Sequence, residues 1–259
     1  MPQIKVGLQL KALGGPFRRA LLTAQQMGAT AAELDGREHL SVKEMTDTAI
    51  RQLRKMLTDA NVRACALSFR TRSGYGVLER LQERVEATKA AMTLAYKLGA
   101  SVVVNQIGQI PEAGEGEQWD TMVDVLTQIG RHAQHCGAFL AAETGAEDPA
   151  TLKRFIDALP EGMLGVALNP GNLIVNGFSA SEAVQQLGPH IMYVRAMDGV
   201  RDLAIGRGLE VPLGQGSADF PEIIGRLEEH EYRGYYTVAR NQISQAAELD
   251  AGIQYLKNI

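Results

Sequence analysis

Hydrophobic and polar positions follow two alternating patterns along the chain. Short apolar runs of strand type recur eight times, at residues 4–10, 31–36, 62–69, 100–108, 138–144, 164–169, 191–198 and 235–240. Each run is rich in Val, Leu, Ile, Ala or Tyr and is bounded by Gly, Pro, Asn or charged residues. That combination is typical of short buried strands. The pattern therefore predicts eight strands.

The segments between these runs have the three-to-four spacing of amphipathic helices. The clearest covers residues 79–99, where apolar positions recur on one face and Gly99 ends the pattern. In the segment 41–61, Ser41 and Glu44 have the spacing of a capping box, which predicts a helix beginning there. Two more helices are predicted near the end of the chain, at 219–234 and 244–259.

Strict alternation of strands and helices implies parallel strands with right-handed crossovers. Eight such units in about 250 residues predict an α/β fold of the (β/α)8 TIM-barrel type. A doubly wound open sheet is the alternative, but it normally carries a glycine-rich phosphate loop. Residues 10–20 do not match GxGxxG, and no GxxxxGK[ST] is found. No linker or low-complexity tract divides the chain, so we expect one domain over residues 1–259.

Charge and cysteine content narrow the choice of partners and compartment. The net charge of -4 and the pI of about 5.8 argue against nucleic acid or an anionic membrane as the main partner. No apolar stretch approaches the roughly 18 residues of a spanning helix, and no signal peptide is evident. Cys65 and Cys136 lie far apart and are expected to be reduced thiols. We therefore expect a cytoplasmic protein.

In a TIM barrel the active site lies at the carboxyl-terminal ends of the strands, so the fold itself nominates polar residues. These are Gln9, Lys11, Glu33, Asp35, Arg37, Ser68, Arg70, Arg72, Asn105, Gln106, Glu143, Asn169, Asn172, Arg195, Asp198, Arg201 and Arg240. Arginine suits carboxylate and phosphate groups, so the many cations favour an anionic ligand. Alternatively, they point outward or pair with Glu33 and Asp35. We expect one of these two acids to face the barrel mouth, Glu33 by preference, and the other to face the helices.

Several other features each allow a functional and a structural interpretation. Gly214 and Gly216 precede a predicted helix and could bind phosphate through backbone N–H groups, although a turn capped by Ser217 is favoured. The loop 70–77 is either a lid or a plain surface loop. His132 and His135 have a zinc-chelating spacing, but a solvated helix is favoured. Trp119 packs either on a ligand or on a helix.

The C-terminal third carries a more specific signal, in the stretches NPGNL (169–173), YVRAMDGVR (193–201) and VPLGQGSADFPEIIGRLEEHEYRGYYTVA (211–239). In order and spacing these stretches resemble the xylose isomerase-like TIM barrels. Members of that family typically read D-P-G-H-L, h-V-H-x-x-D, P-x-G-x-G-x-x-D-F and G-Y-x-G in turn. The family includes sugar and sugar-phosphate isomerases and epimerases and the type IV apurinic endonucleases. The resemblance extends over the whole chain and implies a (β/α)8 barrel.

The resemblance also implies a divalent metal, held in sugar-converting members by Glu, Asp, His and Glu on strands five to eight. The matching positions here are Glu143, Asn169, Arg195 and Ala239, so only the first ligand is kept. A hard divalent cation needs anionic oxygen or nitrogen ligands, whereas arginine has no lone pair to offer and repels a cation. We hypothesise that Arg195 reaches Glu143 and fills the space of the metal. No metal or other cofactor is then expected, apart from weak residual binding at Glu143.

The function that this resemblance implies is isomerase- or epimerase-type proton transfer on a small anionic carbohydrate derivative, a sugar acid or phosphate. Glu143 would be the base, Arg195 would stabilise an enediolate oxyanion, and Arg201, which matches an arginine of some epimerases, would position the substrate. The residues expected to bind substrate are Lys11, Glu33, Arg70, Asn105, Asn169, Asn172, Asp198 and Arg240.

Two alternatives stay open: a sugar-binding pseudoenzyme without turnover, and a metal-dependent lyase or hydrolase on a keto-sugar with a rearranged site. Nuclease chemistry is least favoured, because type IV endonucleases use several metals held by many histidines and this chain has five. Members of the family are often dimers or tetramers, so a homo-oligomer is compatible with the resemblance.

Overall fold

A computed structural model describes residues 4–202 and 207–259. Its strands are β1 Lys5–Gln9, β2 Ala31–Asp35, β3 Arg63–Ser68, β4 Val102–Asn105, β5 Phe139–Glu143, β6 Gly165–Leu168, β7 Ile191–Ala196, β8 Asp198–Val200, β9 Leu209–Val211 and β10 Tyr235–Val238. Eight of them form a closed parallel barrel in the order β1-β10-β7-β6-β5-β4-β3-β2. The predicted (β/α)8 barrel is therefore confirmed, with strands somewhat shorter than the apolar runs.

Helices surround the barrel. They are α1 Leu10–Leu13, α2 Phe17–Gln26, α3 Asp47–Asp59, α4 Leu81–Leu98, α5 Glu117–Cys136, α6 Pro149–Asp157, α7 Pro170–Val175, α8 Ala180–Leu187, α9 Phe220–Glu229 and α10 Ala246–Lys257. In the described part of the chain, no helix is both long enough and apolar enough to cross a bilayer. Trp119 of α5 packs edge-on against Phe155 of α6, with ring centroids 5.0 Å apart, so it contacts a helix.

The predicted start of α3 at Ser41 is wrong. Residues Val42–Glu44 form a single 3-10 turn, and the side chain of Ser41 makes no capping hydrogen bond. The helix begins at Asp47, where the hydroxyl of Thr46 accepts a hydrogen bond from the backbone N–H of Ala49 at 3.2 Å. Thr46 satisfies a donor of the first helical turn, and Asp47 places a negative charge there, so both favour the later start.

A two-stranded antiparallel hairpin of β8 and β9 follows β7 and was not predicted. The sequence predicts one strand over 191–198, but β7 ends at Ala196 and Asp198 opens the hairpin. Asp198 pairs with Val211 and Val200 pairs with Leu209. The hairpin thus interrupts the alternation between β7 and α9, and it stands next to the seventh barrel strand.

The core has two layers, and the inner one explains how charge can be buried here. The larger apolar cluster fills the space between the barrel and the helices. Inside the barrel, small side chains predominate, among them Ala31, Ala66, Ala141 and Ala167. Because these residues take up little volume, the axis has room for long side chains. Tyr193 and Arg195 of β7 occupy it and are among the largest fully buried side chains.

The remaining expectations for single residues concern histidines and cysteines. His132 Nε2 lies 3.2 Å from the hydroxyl of Thr93, and His135 Nδ1 lies 2.7 Å from the carbonyl oxygen of Arg131. These contacts agree with the interpretation of an ordinary helix rather than a zinc site. Cys65 and Cys136 are free thiols, as expected.

Candidate functional site

The centre of the candidate site is an ion network on the barrel axis, formed by Arg195, Glu33 and Glu143. Arg195 donates from Nε and Nη2 to the two carboxylate oxygens of Glu33, at 2.9 and 2.6 Å. It also donates from Nη1 to Oε1 of Glu143 at 2.7 Å. The side chains of all three residues are at most 1% exposed. The predicted contact between Arg195 and Glu143 is therefore confirmed, and Glu33 joins it.

Neighbouring polar groups complete the coordination of the two carboxylates. Glu33 also accepts hydrogen bonds from the amide of Gln9 and the hydroxyl of Tyr193, both at 2.9 Å. Its carboxylate therefore accepts four hydrogen bonds in all. Glu143 Oε1 accepts a further bond from the amide of Asn169 at 2.8 Å. Buried charges persist only when such partners replace water, so this shell fixes the three ions in place.

One carboxylate oxygen of the ion network differs from the others in its contacts. Oε2 of Glu143 is buried and has no hydrogen-bond partner in the described residues. Nη2 of Arg70 lies 3.7 Å from this oxygen, and the side chain of Arg70 is 46% exposed. Burial acts to raise the pKa of Glu143, but the positive charges of Arg195 and Arg70 and the Asn169 hydrogen bond outweigh it and lower the pKa. The site thus presents an ionised carboxylate oxygen beneath a half-exposed arginine.

The arginine at the centre also stays charged. Burial acts to lower the pKa of Arg195, but Glu143 and Glu33 more than offset this and hold the pKa well above its ordinary value. Three of its N–H groups are directed at carboxylates. Arg195 is therefore a fixed cation that acts on Glu143 and Glu33.

Asn169 and Asn172 have structural contacts as well as a place at the site. Asn169 is the N-cap of α7, and its Oδ1 accepts the backbone N–H of Asn172 at 3.0 Å. Its Nδ2 faces Glu143, so one side chain both starts a helix and positions the carboxylate. Asn172 donates from Nδ2 to the carbonyl oxygen of Thr144 at 3.3 Å, which ties α7 to the loop after β5.

Asp198 organises the loop of Gly214 and Gly216, for which the sequence allows phosphate binding. Its carboxylate accepts backbone N–H groups from Gly199, Gly214, Gly216 and Ala218 at 2.8 to 3.0 Å. The N–H groups of both loop glycines are therefore already bound to Asp198, which argues against phosphate there. The cap of α9 is Asp219, not Ser217.

Asn105 anchors the loop after β3. Its side chain accepts the N–H of Thr71 at 3.1 Å and donates to the hydroxyls of Thr71 and Tyr75, both at 3.0 Å. Tyr75 is fully buried and also contacts Thr88 at 2.8 Å. The loop is thus fixed by a buried tyrosine, which favours a plain packed loop over a lid.

Lys11 and the acids of β2 lie beside the network. Lys11 Nζ lies 2.6 Å from Glu38 and 3.7 Å from Asp35, so much of its charge is paired. Asp35 also accepts the backbone N–H groups of Arg37 and Glu38. The expected division of Glu33 and Asp35 between mouth and helix layer is wrong, because residues two apart on a strand share a face. Glu33 enters the axis, and Asp35 caps the turn that follows.

Of the two remaining predicted cations, one lies at the barrel mouth and the other lies away from the ion network. Arg240 lies at the mouth, where its backbone N–H donates to Oε1 of Gln9 at 3.2 Å. Its Nε contacts Glu210 and Glu248 at 3.0 and 3.1 Å, while its Nη1 is buried without a hydrogen-bond partner among the described residues. Arg201 is exposed and lines a cavity formed by the ends of α7, α8 and α9 and the loops between them. It is not brought into the network.

Comparison with known proteins gives the site its context. A family model described as the xylose isomerase-like TIM barrel matches residues 21–259. The chain belongs to the xylose isomerase-like TIM barrel family. Among curated proteins it is similar to an inosose dehydratase of Bacillus thuringiensis (strain Al Hakam), 20% identical over 225 residues, which cover 73% of each chain.

Solved structures agree with the family's fold. A xylose isomerase domain protein from Planctomyces limnophilus superimposes with a TM-score of 0.85 at 22% identity, covering 99% of this chain and 96% of the other. A 3-keto-D-glucoside 4-epimerase from E. coli gives a TM-score of 0.76 at 14% identity, covering 99% and 100%. At such identities these likenesses establish the architecture alone.

The metal site that the xylose isomerase-like family implies does not fit the donors present here. Arg195 Nη1 and Asn169 Nδ2 both contact Oε1 of Glu143, so N–H donors stand where ligands would be needed. Oδ1 of Asn169 is turned to the backbone of α7, and Ala239 offers no donor atom. Within residues 4–202 and 207–259, no three His, Cys, Asp or Glu residues are grouped as a metal site.

The sequence predictions omit two buried polar side chains, one in the ion network and one in the loop after β5. Tyr193 belongs to the network, and its position two residues before Arg195 on one strand face could have revealed it. Glu147, in the loop after β5, was not selected. Its Oε2 is buried without a hydrogen-bond partner in the described part of the chain, and burial together with nearby Asp148 raises its pKa to about 7. Nothing in the local sequence signals that burial.

Proposed function

We propose that this chain is an isomerase- or epimerase-type enzyme that moves a proton on a small anionic carbohydrate derivative without a divalent metal. The observation that carries the proposal is the position of Arg195, which binds Glu143 at 2.7 Å while leaving Oε2 of that residue unpaired. A guanidinium supplies fixed positive charge where related barrels are expected to hold a metal ion. A free carboxylate oxygen beside it is a suitable general base.

The proposed step removes a proton from a carbon next to a carbonyl group. Glu143 Oε2 takes the proton and later returns it, either to the same carbon on the other face or to its neighbour. In the free protein Arg70 lies 3.7 Å from this oxygen and helps to lower its pKa. When the anionic group of the ligand pairs with Arg70, the positive charge of Arg70 stabilises the Glu143 carboxylate less. The pKa of Glu143 then rises toward a value suited to a base.

The negative charge that develops on the carbonyl oxygen needs a donor. Arg240 has a buried Nη1 without a partner in the described residues, and its backbone is linked through Gln9 to the ion network. We assign the oxyanion to Arg240, because the N–H groups of Arg195 directed at carboxylates are already engaged. Substrate positioning by Arg201 stays a prediction.

Two other functions have a specific observation in their favour. Similarity to an inosose dehydratase favours a lyase on a keto-sugar, because elimination of water can begin with the same proton abstraction. The lowered pKa and complete burial of Glu143 favour a binding protein without turnover. The lyase predicts loss of water from a keto-sugar, and the binding protein predicts binding without any product.

The test is proton exchange in D2O with a panel of sugar acids, sugar phosphates and keto-sugars, followed by NMR. We expect deuterium at a carbon next to a carbonyl, unchanged by a chelator and abolished in Glu143→Gln. The matched control is Glu161→Gln, an exposed carboxylate at the opposite end of the barrel, which should exchange like the wild type.

The other outcomes have definite meanings. Exchange that stops with chelator and returns with added metal overturns the metal-free proposal and favours the metal-dependent lyase. Melting shifts with sugar acids but no exchange favour the binding protein. Loss of water from a keto-sugar, insensitive to chelator, keeps Glu143 as the base but replaces isomerisation by elimination.

A further inference from the structure

A second cavity, distinct from the ion network, lies beside the barrel mouth. It has a volume of about 440 Å³ and is formed by the turn after β2, the 3-10 turn before α3, the loop after β3 and the first turns of α4. Five cationic side chains line it: Arg37, Lys43, Arg72, Arg80 and Arg84. We refer to this space as the basic cavity. None of the proton-transfer residues lies in its wall.

The charges of the basic cavity do not cancel. Arg80 is bound to Glu83 at 2.6 Å, so this pair contributes little net charge. The other four cations have no carboxylate within salt-bridge distance in residues 4–202 and 207–259, and the only further acid in the wall is Glu79. Four cations therefore face one carboxylate on a protein whose net charge is -4. Such a local excess of positive charge on a negatively charged protein produces a positive potential that attracts anions.

Two of these guanidinium groups are held in position before any ligand arrives. Arg37 donates from Nε to the carbonyl oxygen of Arg70 at 3.0 Å and stacks over the ring of Phe69 at 3.9 Å. Arg84 donates from Nη1 to the carbonyl of Glu79 at 3.0 Å and from Nη2 to that of Val77. Arg84 Nε is buried and has no partner in the described residues. Fixed donors lose little conformational entropy on binding an anion.

Hydroxyl groups and the N-terminus of a helix also favour an anion in the basic cavity. The basic cavity is also lined by Thr71 and Ser73, whose hydroxyl groups can donate to an oxygen anion. Helix α4 begins at Leu81 beside the cavity, and its N-cap residue provides no capping side-chain bond. The positive end of an 18-residue helix therefore faces this region.

We propose that the basic cavity binds the phosphate group of an organic phosphate monoester. A phosphate dianion matches several converging guanidinium and ammonium groups better than a single carboxylate does, because it offers more charge and three acceptor oxygens. The loop that supplies Arg72 begins directly after Arg70, which reaches Glu143. The phosphate is therefore either the end of a substrate that extends to the barrel mouth or part of a separate effector.

The experiment is calorimetric titration of the full chain with inorganic phosphate and with pyrophosphate. The test variant is Lys43→Gln/Arg72→Gln, because both side chains are exposed and neither makes a structural contact that would threaten folding. The matched control is Lys55→Gln/Arg131→Gln, which removes the same charge from exposed positions on α3 and α5. We expect the dissociation constant to rise about tenfold or more in the test variant, ~1.4 kcal/mol, and to change little in the control.

Two results overturn the proposal: no binding of either probe up to millimolar concentrations, or equal weakening in the test and control variants. Titration with glucose 6-phosphate, with glucose as the reference, then identifies the source. Binding that falls in both the test variant and Arg70→Gln means one ligand spans the cavity and the mouth. Binding that falls only in the test variant means a separate effector. Both results uphold the phosphate site, whether or not the chain has isomerase activity.

Discussion

Arg195 places a permanent positive charge on the barrel axis between two carboxylates. Moving three ions out of water is costly, and the cost is offset only where each ion keeps several close partners. Here Glu33 has four hydrogen bonds and Glu143 has an arginine and an asparagine on one oxygen. The stability of the network is therefore collective, and removing one member leaves the others unpaired.

Replacing Arg195 by methionine tests this dependence. Arg195→Met leaves Glu33 and Glu143 buried without their cation, so we expect the free energy of unfolding in urea to fall by about 3 to 5 kcal/mol at pH 7. The matched control is Glu33→Gln/Glu143→Gln/Arg195→Met, which removes all three charges together. It should be more stable than the single variant. Equal or lower stability of the triple variant would show that the carboxylates gain little from the cation.

Glu147 gives the protein a stability that depends on pH in an unusual direction. Its pKa rises from 4.5 to about 7 on folding, so between these values the folded state binds more protons than the unfolded state. Stability is then full below about pH 4.5 and decreases as the pH rises to 7, by up to ~3 kcal/mol from this residue. We expect Glu147→Gln to remove this slope in urea unfolding measured across the range, with Glu161→Gln retaining it. An unchanged slope in Glu147→Gln would refute the assignment.

At the scale of elements, the sequence predicted the repeating barrel strands but not the hairpin that interrupts their alternation with helices. The eight barrel strands were found because each is a buried apolar run of the right length. The hairpin β8–β9 was missed because its strands have three residues each and its apolar Leu209 is 68% exposed. The start of α3 was misplaced because Ser41 and Glu44 imitate a capping box just before the residues that do cap the helix.

Asp198 joins this hairpin to the loop before α9, and its removal should loosen both. Asp198→Ala leaves the N–H groups of Gly199, Gly214, Gly216 and Ala218 without their acceptor. We expect a loss of at least about 3 kcal/mol in urea unfolding and faster hydrogen exchange over the loop, since each unsatisfied buried donor costs about 1 to 3 kcal/mol.

The control for this prediction is Asp219→Ala in the same loop, which removes one helix cap and should cost about 1 kcal/mol. If the two variants are equally stable, the Asp198 carboxylate does not organise the loop.

At the scale of the whole molecule, the barrel pattern nominates the polar residues of the candidate site, and the resemblance singles out two of them. Glu143 and Arg195 were selected because the family's ligand positions fall on them, and charge complementarity then predicted their contact. Glu33 was placed at the mouth, but its pairing with Arg195 across the barrel was not foreseen. That contact joins β2 to β7, which lie 162 residues apart in sequence, and it depends on the small side chains inside the barrel.

The same reasoning predicts how metal binding could be restored. The variant Asn169→Asp/Arg195→His/Ala239→Glu gives the barrel the family's four ligand types alongside Glu143. Ala239 directly follows β10 and lies two residues after the buried Thr237, so a glutamate there would point to the axis if the strand's alternation continues. We expect dialysis against excess manganese or zinc to leave about one equivalent bound in the triple variant, and less than about a tenth in the wild type, where N–H donors occupy the ligand positions.

The control is Asn169→Asp/Ala239→Glu, which keeps Arg195. If the cation is what excludes the metal, this variant should bind little despite its added carboxylates, and bound metal should raise the melting temperature of the triple variant alone. One full equivalent in the wild type would contradict the argument, because it would mean that Glu143 holds an ion next to a guanidinium. Metal in the double variant but not in the wild type would show that missing carboxylates, rather than the charge of Arg195, prevent binding.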